Sequence, residues 1–152
     1  MFVVKAEAAP QGSKKMVRLR GSGRTVLLES SRRVKWFRNV LAADARRLFA
    51  KPSDHPAIVT LVFRFSRPPS HFTAKGKLKK DAPAYPTRKS GDLDKLCRAA
   101  LDALTGVAYH DDSQVIRLFA TKEYGAESET EIRIGFEDGV DPYETIGYPP
   151  GH

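Results

Sequence analysis

Apolar and polar residues alternate from the first positions: Phe2, Val4 and Ala6 against Val3, Lys5 and Glu7 predict a strand over 2–8. Turn chemistry follows at Pro10–Ser13, and Met16–Leu28 reads as a short hairpin or extended loop around Gly21-Ser22-Gly23. Ser30 or Ser31 can cap a helix running to about Phe49, with Val34, Phe37, Val40, Leu41, Leu48 and Phe49 as its apolar stripe. Ala57–Phe65 is apolar on both faces except at Thr60 and Arg64, which predicts a central strand. A second helix is expected over Asp92–Leu104, with Leu93, Leu96, Ala100, Leu101 and Leu104 facing inward and Gly106 as a left-handed cap. Val115–Lys122 and Glu131–Phe136 alternate again and predict an antiparallel hairpin around Gly125. The sum is an α+β fold: one domain over 1–136, a small mixed or antiparallel sheet with two main helices packed on it. Residues 137–152 have turn and proline character and are expected to form a flexible tail.

Charge adds a partner class. The chain of 152 residues has a net charge of +8, which favours a polyanion. Residues 1–91 carry 21 Lys/Arg against 5 Asp/Glu, whereas 92–152 carry 5 against 13. The first part thus reads as a polyanion-binding surface and the second as a metal-binding part and a tail. Between Arg67 and Ser90 lies a long segment without apolar periodicity that holds Lys75, Lys77, Lys79, Lys80, Arg88 and Lys89. It is expected either to stay mobile until nucleic acid orders it or to be a solvated insertion. Lys14, Lys15, Arg18 and Arg20 add a second basic stretch, and Lys95 a further cation that can meet phosphate. The single cysteine, Cys97, rules out an internal disulfide and a cysteine-based zinc site. No apolar run has signal-peptide or membrane-spanning length, so a soluble cytoplasmic protein is expected, with no membrane partner.

The chemistry concentrates between Gly91 and Val115. Asp92 and Asp94 stand where the second helix starts, and Asp111 and Asp112 just before a strand. A DxD at a helix start is most simply a cap, but the second acidic pair can converge with it on a hard cation. Arg98 lies four residues after Asp94 and four before Asp102. It can serve in i,i+4 ion pairs worth about 0.3–0.5 kcal/mol each, or stabilise developing charge at a phosphate. Asp102 reads as structural, and His110 and Tyr109 are ambiguous. Trp36 and Phe37 could stack on bases, although their helical spacing points to core packing. Acidic ligands in a basic chain are the requirement for metal-dependent cleavage of nucleic acid.

The sequence resembles the RusA family of Holliday junction endodeoxyribonucleases, many carried by phages and prophages. The resemblance rests on Asp92-Leu93-Asp94, on Leu101-Asp102-Ala103-Leu104-Thr105-Gly106, on Tyr109, and on Asp111-Asp112-Ser113-Gln114-Val115. It extends over the order of elements up to about Phe136. It implies Asp92, Asp94 and Asp112 as essential metal-site carboxylates with Asp111 beside them, Mg²⁺ as cofactor with Mn²⁺ able to substitute, and a homodimer acting on four-way junctions. The family's catalytic lysine aligns with Arg98, which keeps the charge but exchanges an ammonium for a guanidinium fork, and Lys95 is a candidate substitute. Two further readings remain: a nuclease on flaps, forks or other branched DNA, and a non-catalytic DNA-binding protein. The carboxylate cluster weighs against the last, since a pure binder gains nothing from aspartates facing a polyanion.

Overall fold

The computed structural model describes residues 1–12, 15–18, 21, 25–28 and 32–137, with side chains left out at 15–18 and 25–28. Lys14, Arg20, the proposed caps Ser30 and Ser31, and the tail from 138 onward lie outside the described residues. Among the described residues, strands and α-helices follow in the order β1 (Phe2–Val4), β2 (Lys15–Arg18), β3 (Thr25–Leu28), α1 (Arg32–Arg46), β4 (Ala57–Ser66), α2 (Leu93–Leu104), β5 (Val115–Gly125) and β6 (Glu129–Phe136). A four-stranded mixed sheet has the order β1-β6-β4-β5, and β2 and β3 form a separate antiparallel pair. The α+β expectation is met.

β4 is central, as its apolar run predicts. Ala57, Val59, Leu61, Phe63 and Phe65 are buried on one face, and Ile58, Thr60, Val62 and Arg64 are half-buried on the other. The helices cover the first face, where Phe37 and Leu41 of α1 and Leu96 and Leu104 of α2 are fully buried. Covering that face removes large apolar side chains from water, at about 1.5–3 kcal/mol for each one fully buried.

One expectation fails in the pairing. β5 and β6 are not hairpin partners: β4 lies between them, parallel to β5 and antiparallel to β6. The cause is the route of the chain. β4 runs into α2 and then β5, a crossover that seats a parallel neighbour on one edge of β4 and leaves the other edge for β6. The chain passes over the end of β4 at 126–128, where the Ser66 amide donates to Ser128 Oγ at 3.0 Å.

Smaller differences have local causes. β1 stops at Val4 because the Ala6 amide turns back onto the Val4 carbonyl at 2.9 Å, although Ala6, Ala8 and Ala9 stay buried. α1 ends at Arg46, so Leu48 is exposed while Phe49 packs edge-on against Phe136. The basic segment after β4 is hydrogen-bonded within itself while its lysines stay exposed. Phe72 and Leu78 bridge, the Thr73 amide donates to the Lys77 carbonyl at 2.7 Å, and the Arg67 guanidinium donates to the Pro83 carbonyl at 2.7 Å.

Candidate active site

α2 starts from a constrained backbone. Gly91 has φ +94°, a conformation that favours glycine, and a Cβ there would stand 2.7 Å from Pro10 Cγ. Its carbonyl accepts from the Lys122 ammonium of β5 at 2.9 Å. Asp92 then occupies the N-cap position with extended backbone, yet its carboxylate makes no cap hydrogen bond. It lies 3.8 Å from Lys95 Nζ instead. The capping role that a DxD at a helix start suggests is therefore not what Asp92 performs.

Asp94, in the first turn of α2, faces a cavity of about 700 Å³ that it shares with Cys97, Arg98, Asp112, Leu118 and Ala120. Asp94 and Asp112 are exposed, and neither carboxylate has a hydrogen-bond or ion-pair partner among the described residues. Arg98 pairs with neither Asp94 nor Asp102, so the i,i+4 ion pairs are absent among the described residues. Asp102 is held structurally, accepting from Gln11 Nε2 at 2.7 Å. Burial, with the Asp94 charge adding to it, pushes the Cys97 thiol up to about 11, so the thiol in this cavity is protonated at neutral pH.

The second acidic pair divides. Asp111 caps the 3₁₀ turn Asp112–Gln114, accepting from the Ser113 amide at 2.8 Å, and Ser113 holds its carboxyl below the ordinary range. Gln114 completes the turn by accepting from the amides of His110 and Asp111 at 2.8 and 3.1 Å. Its amide nitrogen donates to the Ser53 carbonyl at 2.9 Å and the His55 carbonyl at 3.1 Å, which anchors the turn to the segment before β4. Tyr109 is buried with its hydroxyl donating to the Leu101 carbonyl at 2.8 Å, a packing role that leaves Asp112 outward. His110 sits 3.0 Å from Asp54 on the surface.

Three of the sequence-derived residues, Asp94, Arg98 and Asp112, thus line one cavity, with Asp92 at the helix start and Asp111 turned to its own cap. No three Asp, Glu, His or Cys side chains among the described residues gather closely enough to hold a metal by themselves. Two carboxylates without protein partners nevertheless suit Mg²⁺, which takes one or two carboxylates and fills its shell with water and substrate phosphate. Sequence reasoning missed Lys122 and Gln114. The Q of the DDSQV motif was visible, but its backbone targets were not.

The cations divide as well. Lys75, Lys77, Lys79, Lys80, Arg88 and Lys89 are exposed and Lys95 half-exposed. Lys15 and Arg18 lie in β2. Much of the C-terminal acidity belongs to neither a metal site nor a tail. Arg64 pairs with Glu123, Glu129 and Glu131 at 2.8, 3.2 and 2.9 Å on the sheet face away from the helices, and Lys5 pairs with Glu127 and Glu129. Trp36 is 55% exposed whereas Phe37 is fully buried, so core packing holds only for Phe37.

A family model described as Endodeoxyribonuclease RusA matches residues 6–135, from just after β1 into β6, with every residue of the cavity inside the match. The chain belongs to the RusA endodeoxyribonuclease family. No curated protein matches it significantly. As a RusA-family endodeoxyribonuclease it hydrolyses DNA phosphodiesters, and the match covers the cavity between α2 and β5. No helix among the described residues is long and apolar enough to cross a membrane.

Proposed function

We propose that this chain is a Mg²⁺-dependent Holliday junction resolvase that acts as a homodimer and makes paired, symmetric nicks. The observation that carries the reading is the pair of unpartnered carboxylates, Asp94 and Asp112, on a cavity they share with the Arg98 guanidinium. Asp94 and Asp112 would hold the ion, with Asp92 and Asp111 adjoining. A divalent ion there supplies a Lewis acid for the phosphate and lowers the pKa of bound water. Arg98 meets the non-bridging oxygens of the same phosphate and steadies the charge that grows on them. Leu118 and Ala120 give the cavity an apolar wall beside those charges. The exposed lysines of the loop before α2 bind the arms through their phosphates.

A four-way junction has approximate two-fold symmetry, and a two-fold dimer presents one cavity to each of two opposing strands. The test is a synthetic four-way junction incubated with protein and Mg²⁺, alongside duplex, flap and fork. Symmetric paired cuts in the junction, absent with chelator, are the expected result. Preferential cutting of flaps or forks overturns the junction reading, and binding without any cutting overturns the catalytic one.

A further inference from the structure

A second concave site lies on the other flank of α2. The groove between α1 and α2, about 500 Å³, is lined by Lys35, Arg38, Asn39 and Arg46 from α1 and by Asp102 and Thr105 at the end of α2. Three guanidinium or ammonium groups face one carboxylate, and that carboxylate already accepts from Gln11. Lys35 and Arg46 are exposed and have no ion-pair partner among the described residues. Elsewhere on α1 and just beyond it, Arg33 and Arg47 are paired, with Glu7 and Asp44. Lys35 and Arg46 thus bring two cations without an ion-pair partner among the described residues to this groove.

The same helix carries the chain's single tryptophan, exposed, three residues before Asn39 and four after Arg32, hence adjacent to both on the helix surface. An exposed indole beside a cation-lined groove is an arrangement that suits a polynucleotide strand, with phosphates in the groove and a sugar or base against the ring. Position supports this as well. Asp94, Arg98 and Asp102 follow at four-residue intervals along one ridge of α2; the first two line the catalytic cavity and the third lines the groove. A helix with its side chains is about 10–12 Å across. That is roughly three nucleotides at ~3.4 Å each along a duplex. A strand crossing this ridge reaches both sites.

We propose that the α1–α2 groove is a second phosphate-binding site, which seats the DNA strand a few nucleotides from the scissile phosphate with Trp36 packed against it. This rests on the nuclease reading for its ligand, but its residues are separate from the catalytic cavity.

The experiment titrates DNA into the protein without divalent cation, reading Trp36 emission and the salt dependence of binding. Saturable quenching of Trp36 is expected with a four-way junction. The double variant Lys35→Ala/Arg46→Ala should bind more weakly and lower the log–log salt slope by about 1.8 for two lost contacts. Both side chains are exposed, and circular dichroism of the variant reports whether the fold is kept. Emission that stays constant at saturating DNA, or a slope that does not change in the folded variant, overturns the proposal. Junction cleavage by the wild-type chain, assayed in parallel with Mg²⁺, separates the two readings. Cleavage with either readout unmoved sinks the groove alone. Both readouts moving without cleavage sinks the catalytic reading and upholds the groove as a DNA site.

Discussion

The Lys122 ammonium donates to the Gly91 carbonyl at 2.9 Å and so ties the outer strand of the sheet to the start of α2. Asp92 and Asp94 follow Gly91 directly, while Asp112 leads into the strand that carries Lys122. One hydrogen bond therefore fixes the start of α2, and with it Asp92 and Asp94, to the strand that Asp112 leads into. Its ammonium stands near a helix N-terminus, where a cation is disfavoured by the dipole, so the carbonyl has to hold it there.

Lys122→Met should keep the aliphatic packing and lose this tie. A hydrogen bond to a charged group contributes about 1.5–3 kcal/mol. Urea unfolding should show a loss within that range, and the Mg²⁺ concentration for half-maximal cleavage should rise because Asp94 and Asp112 are less firmly related. Gly91→Ala should be worse, since it adds a clash with Pro10 to a φ of +94°. Unchanged metal dependence in a folded Lys122→Met protein would show that the bond serves stability alone.

Asp94 and Asp112 differ from Asp111 in what their carboxylates already do. Asp92→Asn, Asp94→Asn and Asp112→Asn should each abolish cleavage and leave junction binding, because asparagine keeps the shape without the charge that holds Mg²⁺. Asp111→Asn should cut at near wild-type rate, since asparagine caps as well as aspartate. Asp111→Ala should lower stability, because the Ser113 amide loses its acceptor. Cleavage assays, with anisotropy for binding, check the set. Loss of cutting in Asp111→Asn would return that residue to the metal shell and displace its capping role.

The sequence disclosed what local periodicity encodes. The stripes of both helices, the two-sided apolarity of β4, and the placing of Asp94 and Asp112 at opposite ends of one helix–turn–strand unit were all legible. Strand neighbours were not. Alternation says which way a side chain faces and nothing about which strand lies alongside, so β5 and β6 were paired with each other when β4 separates them. Lys122 and Gln114 act on backbone carbonyls 31 and 61 residues away, contacts with no local signature. Trp36 could have been placed: adjacent helical residues point about 100° apart, so with Phe37 in the stripe Trp36 had to face elsewhere.

Acid should weaken the sheet through Arg64. Lys5 holds the Glu129 carboxyl below its ordinary 4.5, and Arg64, then Arg133, do the same for Glu131. Both values are depressed on folding, so their stabilisation is present above about pH 4.5 and is lost as pH falls toward the folded values. Arg64→Met leaves three glutamates facing one another. Its unfolding midpoint should lie well below wild type at pH 7 and converge on it as pH falls through the lowered values of Glu129 and Glu131. A constant gap across that range in urea titrations would mean that packing of the arginine stem, and not its charge, is what Arg64 contributes.

Arg98 is exposed on the same cavity as Asp94 and Asp112 and has no partner among the described residues, so its guanidinium is available to substrate. A donor aimed at developing charge on a phosphate contributes mostly in the transition state, where its removal costs about 10²–10³ in kcat. Arg98→Ala should therefore lower the single-turnover cleavage rate by that order while junction affinity changes little. Arg98→Lys should recover most of the rate, because an ammonium supplies the charge without the two-pronged geometry. Restoring the residue type that the family resemblance places here also tests the alignment. If the lysine variant is as slow as the alanine one, the fork geometry is essential in this chain. If alanine cuts at wild-type rate, Arg98 is a surface cation and Lys95, one turn nearer the helix start, becomes the group to test by the same pair of substitutions.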